Sequence, residues 1–131
     1  MQRLMPYLLI GAGGFLGANA RYLVNFWVES HFGGRFPLGT FVINVSGSFL
    51  LGLLGTVIAG RLLGCPDELR MLLGIGFLGA YTTFSTFEFE SQALLRDGEF
   101  LYASMNVVLS PLIGLLAVRL GVITGTLWGG R

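Results

Sequence analysis

Four apolar stretches dominate this sequence: Leu4–Val28, Leu38–Ala59, Leu69–Phe87 and Phe100–Val118. Each is long enough to cross a hydrocarbon core of ~30 Å as a helix rising ~1.5 Å per residue. In that medium every backbone polar group must be satisfied internally, which leaves helices as the only fold for single spans of this length. Turn residues and charges gather between the stretches, at His31–Pro37, Gly60–Arg70 and Arg96–Glu99, and connections this short join antiparallel neighbours. The expectation is an all-α membrane protein. A single domain over residues 1–131 carries four transmembrane helices per protomer, at about 4–28, 38–59, 69–95 and 100–122. Composition agrees, with 53% hydrophobic and 11% charged residues and a mean hydropathy of +0.75.

Arg3 before an apolar run and the small-x-small triplet Ala18-Asn19-Ala20 imitate a signal peptide. The apolar pattern continues through Val28, however, and three further spans hold the product in the membrane. Cys65, the only cysteine, permits no intrachain disulfide and fits no metal-ligand spacing. All eight basic residues are Arg and are spread along a chain of net charge +1, so there is no basic face for nucleic acid. With four spans, Arg3, Arg61, Arg70, Arg119 and Arg131 fall on one side, against Arg21, Arg35 and Arg96 on the other. So small a bias specifies orientation weakly. Insertion both ways up allows an antiparallel, dual-topology homodimer.

Polar chemistry is concentrated in the third span, GIGFLGAYTTFSTFEFE (74–90). Gly74, Gly76 and Gly79 match the GxGxxG pattern of a dinucleotide site, but no strand precedes them and no second strand carries an acidic residue about twenty positions on. Gly79-Ala80-Tyr81-Thr82-Thr83 has two readings. One is an interrupted helix whose freed carbonyls need another chain, a cavity or an ion. The other is a continuous helix whose hydroxyls bond back to the carbonyls one turn earlier. Phe84 and Phe87 share one side of a helix, where they serve either as packing or as ring edges whose positive rim receives a small anion.

The flanking spans carry polar stripes at helical spacing: Thr40, Asn44 and Ser48 on the second, and Tyr102, Asn106, Ser110 and Gly114 on the fourth. Asn44 is expensive in a membrane unless bonded within the protein or set on a wet path, where its NH₂ group suits an anion. Ser48 and the nearby glycines fit helix packing, as do Gly13 and Gly17 in GxxxG spacing. Pro111 beside Ser110 weakens its helix locally. Arg21 snorkels, pairs or faces an aqueous vestibule. Glu88 and Glu90, at the end of the third span, raise the same question, and the lone His31 sits in a loop that supports no site. Nothing forms a hydrolytic, redox or metal constellation, so an enzyme reading has no residues to carry it.

The segments GAGGFLGANARY (11–22), GTFVINVSGSFLLG (39–52), GFLGAYTTFSTFEFE (76–90) and SPLIGLLAVRLG (110–121) together resemble the Fluc (CrcB-type) fluoride channel family. The likeness extends from about Leu8 to Gly121. It implies a four-helix protomer with a broken third helix, paired antiparallel with a second copy in the inner (plasma) membrane. Two fluoride pores and a structural Na+ at the dimer centre are implied as well. By position, Thr40, Asn44, Phe84, Ser85, Thr86 and Phe87 belong to the fluoride path, and Asn106 and Ser110 continue its polar track. The carbonyls of Gly79 and Thr82 hold sodium, and Arg21 and Glu90 belong to a vestibule. The competing reading is a dual-topology small multidrug-type transporter. Such a protein needs a carboxylate in its first span for proton coupling, and here none precedes Glu29.

Overall fold

A computed structural model describes residues 4–59 and 66–128. Arg3, Arg61, Cys65 and Arg131, which entered the charge and cysteine arguments, lie outside the described residues. The described residues are mostly helical, with no strand among them. Helix α1 spans Met5–Phe32 and α2 spans Leu38–Ala59. The third region begins with α3, made of α-helical Pro66–Leu69, π-helical Arg70–Leu78 and α-helical Gly79–Tyr81. It resumes as α4, Phe84–Arg96, and α5 closes the chain at Phe100–Trp128. Thus α1 includes His31, expected in a loop, and α5 continues past residue 122.

Among the described residues two helices, Leu38–Ala59 and Phe100–Trp128, are long and apolar enough to cross a membrane. Much of their surface is not covered by the rest of the protomer. Leu101, Leu112, Leu115, Leu116 and Leu120 of α5 are each more than half exposed, as are Phe15, Tyr22, Phe26 and Trp27 of α1. An apolar surface this extensive is intended for lipid or another protein chain.

Glycine decides how the helices pair. On α1, a Cβ at Gly13 would run into the Leu72 carbonyl, and one at Gly17 into the Phe77 carbonyl, so α1 and α3 meet backbone to backbone. On α2 and α5 the same device recurs. Gly52 faces the Val118 carbonyl and Gly121 faces the Phe49 carbonyl. Close approach of this kind maximises dispersion contact where no hydrophobic drive separates helix from lipid. A small core of Ile43, Leu78 and Tyr81 lies between the two pairs, with Val24, Leu54 and Phe77 packed on it.

The junctions at one end are tied together. Glu29 Oε1 accepts from Gly39 N at 2.9 Å, capping the start of α2. Gly98, at φ 78°, supplies the left-handed turn between α4 and α5, and Glu99 N donates to Leu94 O at 2.9 Å. Across that end Arg35 pairs with Glu99 at 2.9 Å, joining the α1–α2 and α4–α5 connections.

Candidate functional site

Helical backbone stops at Tyr81. Thr82 (φ −79°, ψ 157°) and Thr83 (φ −151°, ψ 118°) are extended, and Phe84 begins α4. The interruption is fastened from α2. Asn44 Nδ2 donates to the Thr83 carbonyl at 2.9 Å, and Thr83 N donates back to Asn44 Oδ1 at 2.8 Å. One primary amide therefore satisfies both polar groups of the extended residue, as a neighbouring strand would. Gly47, one turn along α2, leaves room for the Thr82 methyl, because a Cβ there would collide with Thr82 Cγ2.

The consequence for the neighbouring carbonyls follows by counting donors. In a continuous helix the Gly79 carbonyl would accept from Thr83 N, and the Thr82 carbonyl from Thr86 N. Thr83 N is committed to Asn44 instead. Thr86 N donates to Thr83 Oγ1 at 3.2 Å, so Thr83 serves as the N-cap of α4. Gly79 and Thr82 are thus two of the carbonyls that the interruption deprives of their helical donors. Thr82 also keeps a helix-like habit, since its hydroxyl donates to Leu78 O at 2.9 Å.

A cavity of about 520 Å³ opens beside the interruption. Its polar lining comes from Asn44, Ser48, Thr82, Thr83 and Ser110, and its aromatic lining from Phe84 and Phe87. Gly79, Gly114 and Pro111 contribute surface without polar side chains, and among the described residues no charged one lines it. The two rings lie 5.8 Å apart between centroids and are tilted by 39°. Phe87 is 7% exposed and Phe84 74% exposed, so one ring is fixed in the protomer and the other stands at its surface.

Other residues singled out in the sequence do not line this cavity. Ser85 and Thr86 lie on the exposed first turn of α4. Thr40 donates to Glu90 Oε1 at 2.8 Å, while Glu90 Oε2 is buried with no partner among the described residues. Arg21 is half-buried on α1, and Glu88 is exposed. Asn106, 1% exposed, sits behind Ser110, whose hydroxyl donates to Asn106 Oδ1 at 2.8 Å.

Three participants were not anticipated from the sequence. Thr83 caps α4, Ser91 accepts from Asn106 Nδ2 at 2.9 Å, and Ser46 meets the Tyr81 hydroxyl at 2.9 Å. A Thr immediately before a helical run is a readable capping signal. The other two pairings join residues distant in sequence, and no local pattern marks them.

The sequence model for the family described as CrcB-like protein, Camphor Resistance (CrcB) matches residues 8–122. A relative in Symbiobacterium thermophilum, named Fluoride-specific ion channel FluC 1, is 48% identical over 95% of this chain and 99% of its own. Another in Prosthecochloris aestuarii, named Fluoride-specific ion channel FluC, is 42% identical over 97% of this chain and 98% of its own. A third, in Solibacter usitatus and of the same name, is 47% identical over 91% and 97%. A match spanning most of the sequence, including α1, the helix interruption and α5, shows that this chain belongs to the CrcB family.

Proposed function

We propose that the protein is a passive fluoride-selective channel of the inner (plasma) membrane, through which cytoplasmic fluoride leaves down its electrochemical gradient. The observation that carries this reading is the uncharged, donor- and ring-lined cavity at the helix interruption. Fluoride is small and strongly hydrated, so a passage must replace its water with converging donors and positive ring edges. A fixed Arg or Lys there would trap the ion. Asn44 retains one N–H beyond the bond it gives to Thr83, and Phe84 and Phe87 add ring edges without formal charge. The names of the relatives point to the same substrate. No step requires a bond to be made or broken, and the chain acts as a channel and not as an enzyme.

The functional unit is an antiparallel homodimer with two pores. Phe84 and the apolar faces of α1 and α5 are exposed in one protomer, and a second copy covers part of this surface and completes the passages. The interruption then lies at membrane depth in a transmembrane helix. The Gly79 and Thr82 carbonyls, whose helical donors are engaged elsewhere, fit a structural sodium ion, a hard cation that prefers oxygen ligands. When bound, the ion supplies positive charge to backbone oxygens that lipid cannot satisfy. A proton-coupled multidrug transporter is disfavoured by the position of Glu29, which is engaged in capping α2 near the end of the first helix. Fluoride efflux from liposomes, followed with an ion-selective electrode and with chloride as control, tests the proposal.

A further inference from the structure

Behind the cavity wall runs a buried chain of four groups joining α4 to α5. Ser110 Oγ donates to Asn106 Oδ1 at 2.8 Å, Asn106 Nδ2 donates to Ser91 Oγ at 2.9 Å, and Ser91 Oγ donates to the Phe87 carbonyl at 2.8 Å. Ser91 and Asn106 are 5% and 1% exposed, and neither lines the cavity, whereas Ser110 and Phe87 do. The direction of this chain determines what the cavity meets. With the Ser91 proton committed to Phe87, Ser91 can only accept, so the Asn106 NH₂ group faces it and the Asn106 oxygen faces Ser110. Ser110 then spends its proton inward and presents lone pairs to the cavity. That polarity repels an anion.

The opposite polarity uses the same heavy-atom positions. If the Asn106 amide turns over, Ser91 donates to Asn106 Oδ1, Asn106 Nδ2 donates to Ser110 Oγ, and the Ser110 proton is released to the cavity. The Phe87 carbonyl keeps the backbone N–H that an α-helix supplies from residue 91. Every group along the chain is bonded in both arrangements, so reversal leaves no buried polar atom unpaired. The second arrangement also aligns successive donors toward an anion, and each bond polarises the next.

We propose that Ser91 is a positioning residue that makes the Asn106 amide reversible, so that Ser110 donates to fluoride when the anion is present and to Asn106 when it is absent. The inference rests on the fluoride-channel reading and adds a two-state hydrogen-bond chain behind one wall of the path. Ser91 reaches the ion only through Asn106 and Ser110. Alanine at 91 leaves one group of the buried amide unpaired in either orientation, so Asn106 is no longer held in line with Ser110.

The test compares wild type, Ser91→Ala and Ser91→Thr for fluoride efflux from liposomes, and records the ¹⁵N-labelled side-chain amide signals of Asn106 during titration with sodium fluoride or sodium chloride. Efflux in Ser91→Ala is expected to fall about tenfold, the order of effect of one buried hydrogen bond, while Ser91→Thr, which retains the hydroxyl, stays near wild type. A role in packing alone gives the reverse order, because Ala fits the site and the extra methyl of Thr crowds it. In wild type the Asn106 amide signals are expected to shift with fluoride and not with chloride, a result that needs no variant to fold. Unchanged Asn106 signals under fluoride, or full efflux in a folded Ser91→Ala protein, would overturn the inference and leave the channel reading intact. Absence of fluoride efflux from wild type would overturn both.

Discussion

Asn44 shows how one side chain holds the helix interruption and, in the proposed channel, also faces the path. Its amide takes the two bonds that the extended Thr83 backbone cannot make within its own helix. Asn44→Ala removes both partners at once. Each half-buried backbone group left unpaired costs on the order of 1–3 kcal/mol, so a large fall in detergent thermal stability is expected together with lost flux. Unchanged stability would mean that water replaces the amide without cost. Phe84 and Phe87 separate electrostatics from bulk. Isoleucine keeps an apolar side chain but has no quadrupole, so Phe84→Ile and Phe87→Ile are expected to stay folded while fluoride efflux drops by about tenfold. Full efflux from both variants would assign the rings to packing. In the sequence, Asn44 was legible as a costly polar residue needing a partner, since any buried amide carries that demand. Its bond to Thr83 was not legible, because the two residues are far apart in the chain and only the fold brings them together. Ser91 was hidden for a related reason: a Ser in a helix bonding one turn back looks ordinary until Asn106 arrives from α5.

Among the elements, the helical spans were readable because hydrocarbon length and short polar junctions leave few alternatives. The region around Gly79–Thr83 carried two readings, and local features of both are present: Thr82 bonds back to Leu78 while Thr83 is extended. Choosing between them depended on α2, whose Asn44 and Gly47 accept the displaced residues. The π-helical course of Arg70–Leu78 left no mark in the apolar pattern, since its side chains satisfy a helix of either pitch. Glycine spacing was the better guide. Gly17 meets Phe77 and Gly121 meets Phe49, whereas Gly11 faces open space. Gly17→Ala and Gly121→Ala are therefore expected to separate helix pairs and lower the melting temperature. Gly11→Ala should be neutral or gain a few tenths of a kcal/mol up to about 1 from helix propensity. Thermal unfolding in detergent ranks the three, and equal melting temperatures would show that the backbone contacts relax without penalty.

For the whole molecule, the uncovered apolar faces of α1 and α5 and the exposed Phe84 are the surfaces that a second copy covers in the proposed dimer. An antiparallel dimer requires each copy to insert in either direction. Single cysteines placed near residues 35 and 98, in a background lacking Cys65, are accordingly expected to react with an impermeant reagent from both sides of the membrane; labelling from one side only would exclude the antiparallel pair. The Gly79 and Thr82 carbonyls extend the same idea to sodium, since stripped acceptors at membrane depth need a cation or a donor. All of this depends on fluoride being the ion that moves. The deciding measurement is efflux from liposomes containing purified wild-type protein, with fluoride and chloride recorded in parallel and with the proton gradient clamped or collapsed. A passive fluoride channel releases fluoride in both proton conditions and retains chloride, whereas equal chloride efflux, or fluoride movement only with a proton gradient, contradicts it.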